Sequence, residues 1–198
     1  MSVLVAKEAP DFKAQAVMPD NSFKEISLSD YKGKYVVLFF YPLDFTFVCP
    51  SEIIAFDKRL GEFASRNVEV IGVSIDSHFS HLAWKNTDIN NGGIGNVQYP
   101  LVADIDKAIT DAYDVRTGPG IALRGSFLID KDGVVQHQVV NNLSLGRDID
   151  EMLRLVDALQ FTEEHGEVCP AGWQKGKAGM KGSTEGVAEY LSENLAEL

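Results

Sequence analysis

Two apolar runs rich in β-branched and aromatic residues constrain the fold of this chain more than any other feature of its sequence. The first covers residues 35–41 (YVVLFFY) and the second covers residues 68–75 (VEVIGVSI). Runs with so little polar alternation are typical of strands that are buried on both faces, as in a sheet covered by helices. We therefore predict an α/β protein whose central strands lie between helical layers.

A helix is predicted between these two strands, over about residues 50–66. Its apolar residues recur at steps of three and four, at Ile53, Phe56, Leu60 and Phe63. This spacing gives one apolar helix face. A strand, a helix and a second strand in this order form a βαβ unit, and its crossover is expected to be right-handed.

Later segments predict more elements of an α/β domain. Helices are expected near residues 80–90 and 104–114, and a hairpin is expected where the turn Asp132-Gly133 separates two apolar runs. A last helix face is formed by Ile149, Met152, Leu153, Val156 and Leu159. The predicted order is β-α-β-α-α-β-β-α, in a domain that covers residues 1–162.

The composition changes after this domain. Six of the 17 glycines lie within residues 166–186, and glycine-rich segments are flexible. A short helix with Val187, Tyr190, Leu191 and Leu195 is expected to follow them. We predict a mobile C-terminal arm over residues 163–198.

Charge and hydropathy exclude several kinds of partner. The chain of 198 residues has 18 Lys and Arg against 29 Asp and Glu, which gives a net charge of −11 at pH 7. Nucleic acids and acidic membranes bind cationic surfaces, so neither is an expected partner. The apolar run over residues 35–41 is too short to span a bilayer. Because residues 1–7 show no signal-peptide pattern, we expect a cytoplasmic protein.

The chain has two cysteines, Cys49 and Cys169. Two are too few for a disulfide-rich scaffold, and in a reducing compartment each is a candidate for chemistry. Cys49 follows the first central strand and precedes Pro50, and proline is favoured at the first position of a helix. A helix N-terminus favours the thiolate, which is the reactive form of cysteine. The alternative is an inert buried thiol, but open α/β sheets place their sites at this end of their strands.

The residues before Cys49 suit such a reactive thiol. The hydroxyl of Thr46 can donate to a thiolate or to a bound oxygen, although Thr46 can also be read as a helix cap. Pro42, Phe45, Phe47 and Val48 are expected to keep water away from the sulfur.

Several segments of the chain match one known pattern. Pro42-x-x-x-Thr46-x-x-Cys49 continues as residues 50–52 (PSE), and residues 167–173 read EVCPAGW. The first resembles the active-site signature of the peroxiredoxins, and the second resembles the resolving-cysteine segment of their typical two-cysteine subgroup, which includes alkyl hydroperoxide reductases and thioredoxin peroxidases. Residues 9–12 (APDF), 76–84 (DSHFSHLAW) and 124–130 (RGSFLID) resemble further family segments in the same order. The resemblance covers nearly the whole chain.

The resemblance implies a thioredoxin-like fold with a central mixed sheet, and a peroxidase that acts on hydrogen peroxide and organic hydroperoxides. Cys49 would attack the peroxide O–O bond and become a sulfenic acid. Arg124 would keep Cys49 ionised and polarise the peroxide, although an arginine taken by itself is more often part of a surface ion pair. Thr46 would position the peroxide oxygens, and Pro42 would shield the sulfenate.

Glu52 and Arg147 resemble the supporting pair of the family. Glu52 would orient the arginines, although both residues could instead be solvated charges near helix ends. No dinucleotide or phosphate-binding motif occurs, so we expect no cofactor. His78 and His81 are spaced like two metal ligands on a helix, but no nearby cysteine completes a site, and we expect no metal.

Cys169 would be the resolving thiol. Its spacing from Cys49 leaves open whether the disulfide forms within or between chains. The resemblance implies that it joins Cys169 of one subunit to Cys49 of another, in a homodimer that assembles into a decamer-like ring. Thioredoxin would then reduce the disulfide. The alternatives are a dedicated flavoprotein reductase as the reductant, or a ring-shaped holdase chaperone or redox relay.

This chain departs from the family pattern in two segments that affect over-oxidation of the Cys49 thiol. Sensitive members of the family carry a Gly-Gly-Leu-Gly loop and a C-terminal Tyr-Phe pair, whereas this chain has residues 92–95 (GGIG) and Tyr190-Leu191. Leu191 lacks aromatic packing worth about 0.5 to 1.5 kcal/mol. We therefore predict intermediate sensitivity to sulfinic-acid formation.

Overall fold

The computed structural model describes residues 2–197 and shows two compact units, one up to Ile149 and one from Asp150 onward. The described strands are β1 (Lys13–Val17), β2 (Phe23–Ser27), β3 (Tyr35–Phe40), β4 (Val68–Ser74), β5 (Leu101–Ala103), β6 (Arg124–Ile129) and β7 (Val135–Asn141). The described α-helices are α1 (Cys49–Lys58), α2 (Leu60–Ala64), α3 (His78–Lys85), α4 (Ala108–Ala112), α5 (Ile149–His165) and α6 (Thr184–Asn194). Short 3-10 helices cover Leu28–Tyr31, Ile89–Asn91 and Leu195–Glu197.

All the described strands form one mixed sheet in the order β2-β1-β5-β4-β3-β6-β7. The central strands β3, β4 and β5 are parallel, whereas β6 and β7 continue the sheet as antiparallel strands on one side. On the other side β1 pairs antiparallel with β5 and β2. The expected central mixed sheet is confirmed.

Strand β3 is buried along its whole length, as its apolar sequence predicts. On one face Phe39 stacks on Phe56 of α1, with ring centroids 4.4 Å apart. On the other face Phe40 packs against Phe127 and Tyr113, at 5.8 Å and 5.2 Å. Because both faces are covered, β3 forms a rigid base for the loop that follows it.

The helix bounds differ from the sequence-based ones. The helix predicted over residues 50–66 breaks at Arg59, whose φ of −98° and ψ of 2° interrupt the helix. Helix α3 begins earlier than predicted because the Ser77 hydroxyl accepts the N–H of Ser80 and so caps the helix. Helix α4 begins later because the buried Asp104 carboxylate accepts the N–H groups of Ile109 and Thr110.

Three strands were not predicted from the sequence. Strand β5 has only three residues, and β1 and β2 include exposed polar side chains. Short strands of this composition have too little periodicity to be recognised. The hairpin predicted at Asp132-Gly133 is confirmed by the pairing of β6 with β7.

The second unit contains most of α5, an antiparallel bridge between Val168 and Met180, and α6. Helix α5 belongs to this unit because it contacts the residues after it, as where Phe161 lies 4.8 Å from the Trp173 ring. The division into residues 1–162 and 163–198 stays a prediction. None of the helices within residues 2–197 is long and apolar enough to cross a bilayer.

Candidate active site

Cys49 lies at the start of the first helix, after the loop that follows the central strand β3. It is the first residue of α1, Pro50 is the second, and the Cys49 side chain is completely buried. This is the junction that the sequence predicts. The sulfur is thereby held beside a helix N-terminus, where an anion is stabilised.

The hydroxyl of Thr46 lies within hydrogen-bond distance of two acceptors. Its Oγ1 is 3.0 Å from the Cys49 sulfur and 2.7 Å from the Leu43 carbonyl oxygen. One hydroxyl proton serves one acceptor at a time. Thr46 can therefore donate to the sulfur, or turn to the Leu43 carbonyl and leave its lone pairs free for a bound oxygen.

Arg124 reaches the same sulfur from the sheet. It is the first residue of β6, and the pairing of Phe39 with Ser126 places it beside the end of β3. Its Nη1 lies 3.3 Å from the Cys49 sulfur, and its Nε donates to the Leu143 carbonyl at 2.7 Å. Arg124 is only 3% exposed, so its charge acts on the sulfur with little screening by water.

Glu52 binds both arginines of the site. Its Oε2 accepts from Nη1 of Arg124 at 2.6 Å and from Nη2 of Arg147 at 2.9 Å, and its Oε1 accepts from Nε of Arg147 at 2.9 Å. Arg147 also donates to the carbonyl oxygens of Phe40 and Gly125. The structure thus brings Cys49, Thr46, Arg124, Glu52 and Arg147 together, and it gives Glu52 and Arg147 the geometry of a support for Arg124.

Pro42, Phe45 and Phe47 take different places in the loop. Pro42 is buried two residues after the end of β3, and its shielding role stays a prediction. The expectation that Phe45 and Phe47 cover the sulfur is wrong, because they are 53% and 96% exposed. The Phe47 ring points to solvent, whereas the Phe45 ring lies 5.6 Å from the buried Trp84 ring, at a residue with a left-handed backbone and φ of 53°.

A buried polar network anchors this loop, and no local sequence pattern indicates it. Nδ1 of His81 lies 2.8 Å from Oδ2 of Asp44, and its Nε2 donates to the Val102 carbonyl at 3.1 Å. The Tyr41 hydroxyl donates to Oδ1 of Asp44 at 2.9 Å. Burial raises the pKa of Tyr41 well above its usual value, so it keeps this proton. Residues far apart in sequence meet here because α3 packs against β5, and β4 alone separates β5 from β3 in the sheet.

His81 is therefore a loop anchor rather than half of a metal site. Within residues 2–197, no group of three or more His, Cys, Asp or Glu side chains is placed to hold a metal ion.

Cys169 lies in the second unit and is partly buried. Its sulfur donates to the Ala158 carbonyl oxygen of α5 at 3.5 Å, and it lies 3.8 Å from Oγ1 of Thr162. Both Cys49 and Cys169 are free thiols. The chain thus holds one thiol beside a guanidinium at a helix start and a second one against a helix.

Comparison with known families decides which class of protein carries this site. Residues 5–138 match the AhpC/TSA family, and residues 158–193 match the C-terminal domain of 1-Cys peroxiredoxin. The chain belongs to the AhpC/TSA family of peroxiredoxins. The resemblance that the motifs indicated is confirmed.

Individual relatives of this peroxiredoxin match along its full length. Alkyl hydroperoxide reductase C of Helicobacter pylori strain J99 is 60% identical and covers 99% of this chain and 100% of its own. A Drosophila melanogaster protein named mitochondrial thioredoxin-dependent peroxide reductase is 54% identical, over 98% of this chain and 83% of its own. The reduced crystal structure of Plasmodium vivax 2-Cys peroxiredoxin superposes with a TM-score of 0.95 at 57% identity, over 96% of this chain and 100% of that one. The expected thioredoxin-like fold is confirmed.

Proposed function

We propose that this peroxiredoxin reduces hydrogen peroxide and small organic hydroperoxides with Cys49 as the attacking thiol. The observation that carries the proposal is the pair of donors at its sulfur, Thr46 at 3.0 Å and Arg124 at 3.3 Å. A sulfur that receives two hydrogen bonds, one of them from a cation, is stabilised as a thiolate. The names of the relatives, which are peroxide and hydroperoxide reductases, support the same reaction.

The reaction begins when the Cys49 thiolate attacks one peroxide oxygen. A sulfur–oxygen bond forms, the O–O bond breaks, and the second oxygen leaves with the electron pair and takes a proton to become water or an alcohol. Sulfur is oxidised by two electrons to a sulfenic acid, and the peroxide is reduced by two. Arg124 stabilises the negative charge that develops on the oxygens, and Thr46 holds the peroxide in line with the sulfur.

Cys169 of the partner subunit completes the cycle in this proposal. Its thiol attacks the Cys49 sulfenic acid, a disulfide forms between the chains, and water leaves. The two-cysteine name of the Plasmodium vivax relative supports this step. A thioredoxin then reduces the disulfide by thiol exchange, as the name of the Drosophila relative suggests. Thioredoxin recycling in turn fits action in the reducing cytoplasm.

An exposed aromatic cluster supports assembly of the dimers into a decamer-like ring. Phe23 makes T-shaped contacts with His78 and Phe79, whose rings are tilted against each other, and the ring centroids lie 4.2 to 5.3 Å apart. Phe23 is 41% exposed and Phe79 is 65% exposed. Exposed aromatic surface of this kind is typical of an interface, and we assign it to a second copy of this chain. Light scattering of the reduced protein tests the assignment, since Phe79→Ser should give the dimer, and an unchanged ring would contradict it.

Peroxide turnover with a thioredoxin system tests the catalytic proposal. Wild-type protein should consume hydrogen peroxide and Cys49→Ser should not, so undiminished turnover by that variant would overturn the assignment. Cys169→Ser is the matched control: it should form the sulfenic acid once but show no dimer band on a non-reducing gel. Turnover with a flavoprotein reductase but not with thioredoxin would show that the flavoprotein, and not thioredoxin, is the reductant.

A further inference from the structure

The guanidinium of Arg154 binds the residues after Cys169 to helix α5. Nη1 of Arg154 donates to the carbonyl oxygen of Trp173 at 3.0 Å. Its Nε and Nη2 donate to the two carboxylate oxygens of Glu151 at 2.6 Å and 2.7 Å. The Arg154 side chain is 21% exposed. One planar group therefore joins the first turns of α5 to the end of the turn formed by residues 169–173.

The sulfur of Cys169 contacts the same face of α5. Arg154, Ala158 and Thr162 follow one another at four-residue steps, which places them along one side of the helix. Ala158 and Thr162 are the residues that the Cys169 sulfur touches, at 3.5 Å and 3.8 Å. The pKa of Arg154 is raised, chiefly by its hydrogen bond to Glu151. The guanidinium and the sulfur are thus neighbours on α5.

A second, apolar contact also holds this turn to α5. The Trp173 ring is 3% exposed and packs on Phe161 of α5. By contrast, Lys175 lies beyond residues 169–173, and its side chain, which is 68% exposed, reaches the buried Asp157 of α5 at 3.1 Å. Arg154 therefore binds the end of residues 169–173 to α5 through a polar contact, beside the apolar contact of the Trp173 ring.

We propose that Arg154 is a positioning residue for the resolving step. It holds residues 169–173 against α5, and so sets how often Cys169 is released to attack the Cys49 sulfenic acid. This rests on the proposed function. In that step a sulfur–sulfur bond forms, the sulfenic S–O bond breaks, and the hydroxyl leaves with the thiol proton as water. The Cys169 sulfur cannot make this bond while it donates to the Ala158 carbonyl.

The charge and the shape of Arg154 can be separated by substitution. Arg154→Gln removes the charge. Arg154→Lys keeps the charge but removes the planar fork that binds Glu151 and the Trp173 carbonyl together. Because the planar guanidinium holds residues 169–173 to α5, both variants should release Cys169 more often. Lys175→Gln removes the ion pair with Asp157 just beyond this segment and is the matched control.

The experiment mixes reduced protein with one equivalent of hydrogen peroxide and follows its products by rapid quench and intact mass. The first phase, formation of the sulfenic acid, should be unchanged in all variants. The second phase, formation of the disulfide, should be about fivefold faster in Arg154→Gln and Arg154→Lys, which corresponds to roughly 1 kcal/mol. It should be unchanged in Lys175→Gln. With excess peroxide, both Arg154 variants should accumulate less sulfinic acid than wild type.

An unchanged or slower second phase in both variants would overturn the proposal. A second phase that changes in Arg154→Gln but not in Arg154→Lys would also overturn it, because charge alone would then explain the effect. Glu151→Gln weakens the hydrogen bonds that hold the Arg154 guanidinium to Glu151, so it should also make the second phase faster. This variant tests the proposal if Arg154→Gln does not fold. Absence of any sulfenic acid in wild-type protein would instead overturn the proposed function.

Discussion

Glu52 and Arg124 form an ion pair of 2.6 Å whose two side chains are 2% and 4% exposed. The same carboxylate also binds Arg147, through a side chain that is 3% exposed. One negative charge is therefore shared by two buried positive charges, which leaves one guanidinium charge for another anion. The Cys49 sulfur, 3.3 Å from Nη1 of Arg124, is placed to supply that anion. Glu52 thus fixes the direction of Arg124 without cancelling its effect on the thiol.

Replacement of Glu52 by glutamine should damage both activity and stability. Loss of a group that orients a catalytic residue typically lowers rates about 10- to 100-fold, and we expect this for kcat/KM with hydrogen peroxide. Because two guanidiniums lose their shared buried partner, the free energy of unfolding should fall by about 3–5 kcal/mol. Stopped-flow kinetics and urea unfolding measure the two effects. Glu62→Gln is the control, since Glu62 is 51% exposed and pairs with Arg59 at 3.7 Å; equal losses in both variants would contradict this role of Glu52.

Thr46 should act through its hydroxyl rather than through its shape. Valine has nearly the same volume but cannot donate to the Cys49 sulfur or to a peroxide oxygen. Removal of one such donor typically costs about 10²- to 10³-fold in rate, so we expect Thr46→Val to lose about that factor in the rate of Cys49 oxidation. Thr46→Ser keeps the hydroxyl and should stay within about tenfold of wild type. Equal rates for the valine and serine variants, measured with a single peroxide addition, would show that the hydroxyl is not used.

The loop anchor at Asp44 should contribute measurably to stability. Tyr41→Phe removes the hydroxyl that donates to Asp44, and a buried hydrogen bond to a charged group is worth about 1.5–3 kcal/mol. We expect the free energy of unfolding to fall by this amount and the rate of Cys49 oxidation to fall with it, since Asp44 lies in the loop before Cys49. Tyr31→Phe, at a partly exposed tyrosine in the first 3-10 helix, is the control for urea unfolding. A Tyr41→Phe variant as stable as that control would contradict the anchoring role.

The central part of the fold and the site follows from local sequence signals. The apolar run of β3, the proline after Cys49 and the Asp132-Gly133 turn each depend on neighbouring residues, and the structure agrees with all three. The pairing of Glu52 with Arg124 and Arg147 was expected only through resemblance to a family. Nothing in the local sequence shows that positions so far apart meet.

The remaining features depend on tertiary contacts that local patterns do not encode. The anchoring role of His81 could not be predicted, because its partner Asp44 lies in a loop far from it in sequence. The exposure of Phe47 is likewise set by the path of the loop and not by its hydrophobicity. The contact of Arg154 with the Trp173 carbonyl requires the chain to turn back on α5, which no periodicity predicts.

Leu191 should limit how readily Cys49 is over-oxidised. It lies in α6 and is 38% exposed, at the position where sensitive relatives are expected to carry phenylalanine. Leu191→Phe adds aromatic packing worth about 0.5–1.5 kcal/mol, or roughly two- to tenfold in a local equilibrium. If that packing holds the arm in place longer, the sulfenic acid meets a second peroxide more often. The peroxide concentration that gives half-maximal sulfinic acid by intact mass should fall by the same factor.

A matched substitution separates this effect from a general change in α6. Leu195 is 70% exposed in the 3-10 helix that follows α6, and Leu195→Phe adds the same ring where little packing is available. It should leave the half-maximal peroxide concentration unchanged. An equal shift in the two variants would mean that added hydrophobicity, and not the position of residue 191, controls the reaction, and no shift in Leu191→Phe would mean that the leucine does not set the sensitivity of this peroxiredoxin.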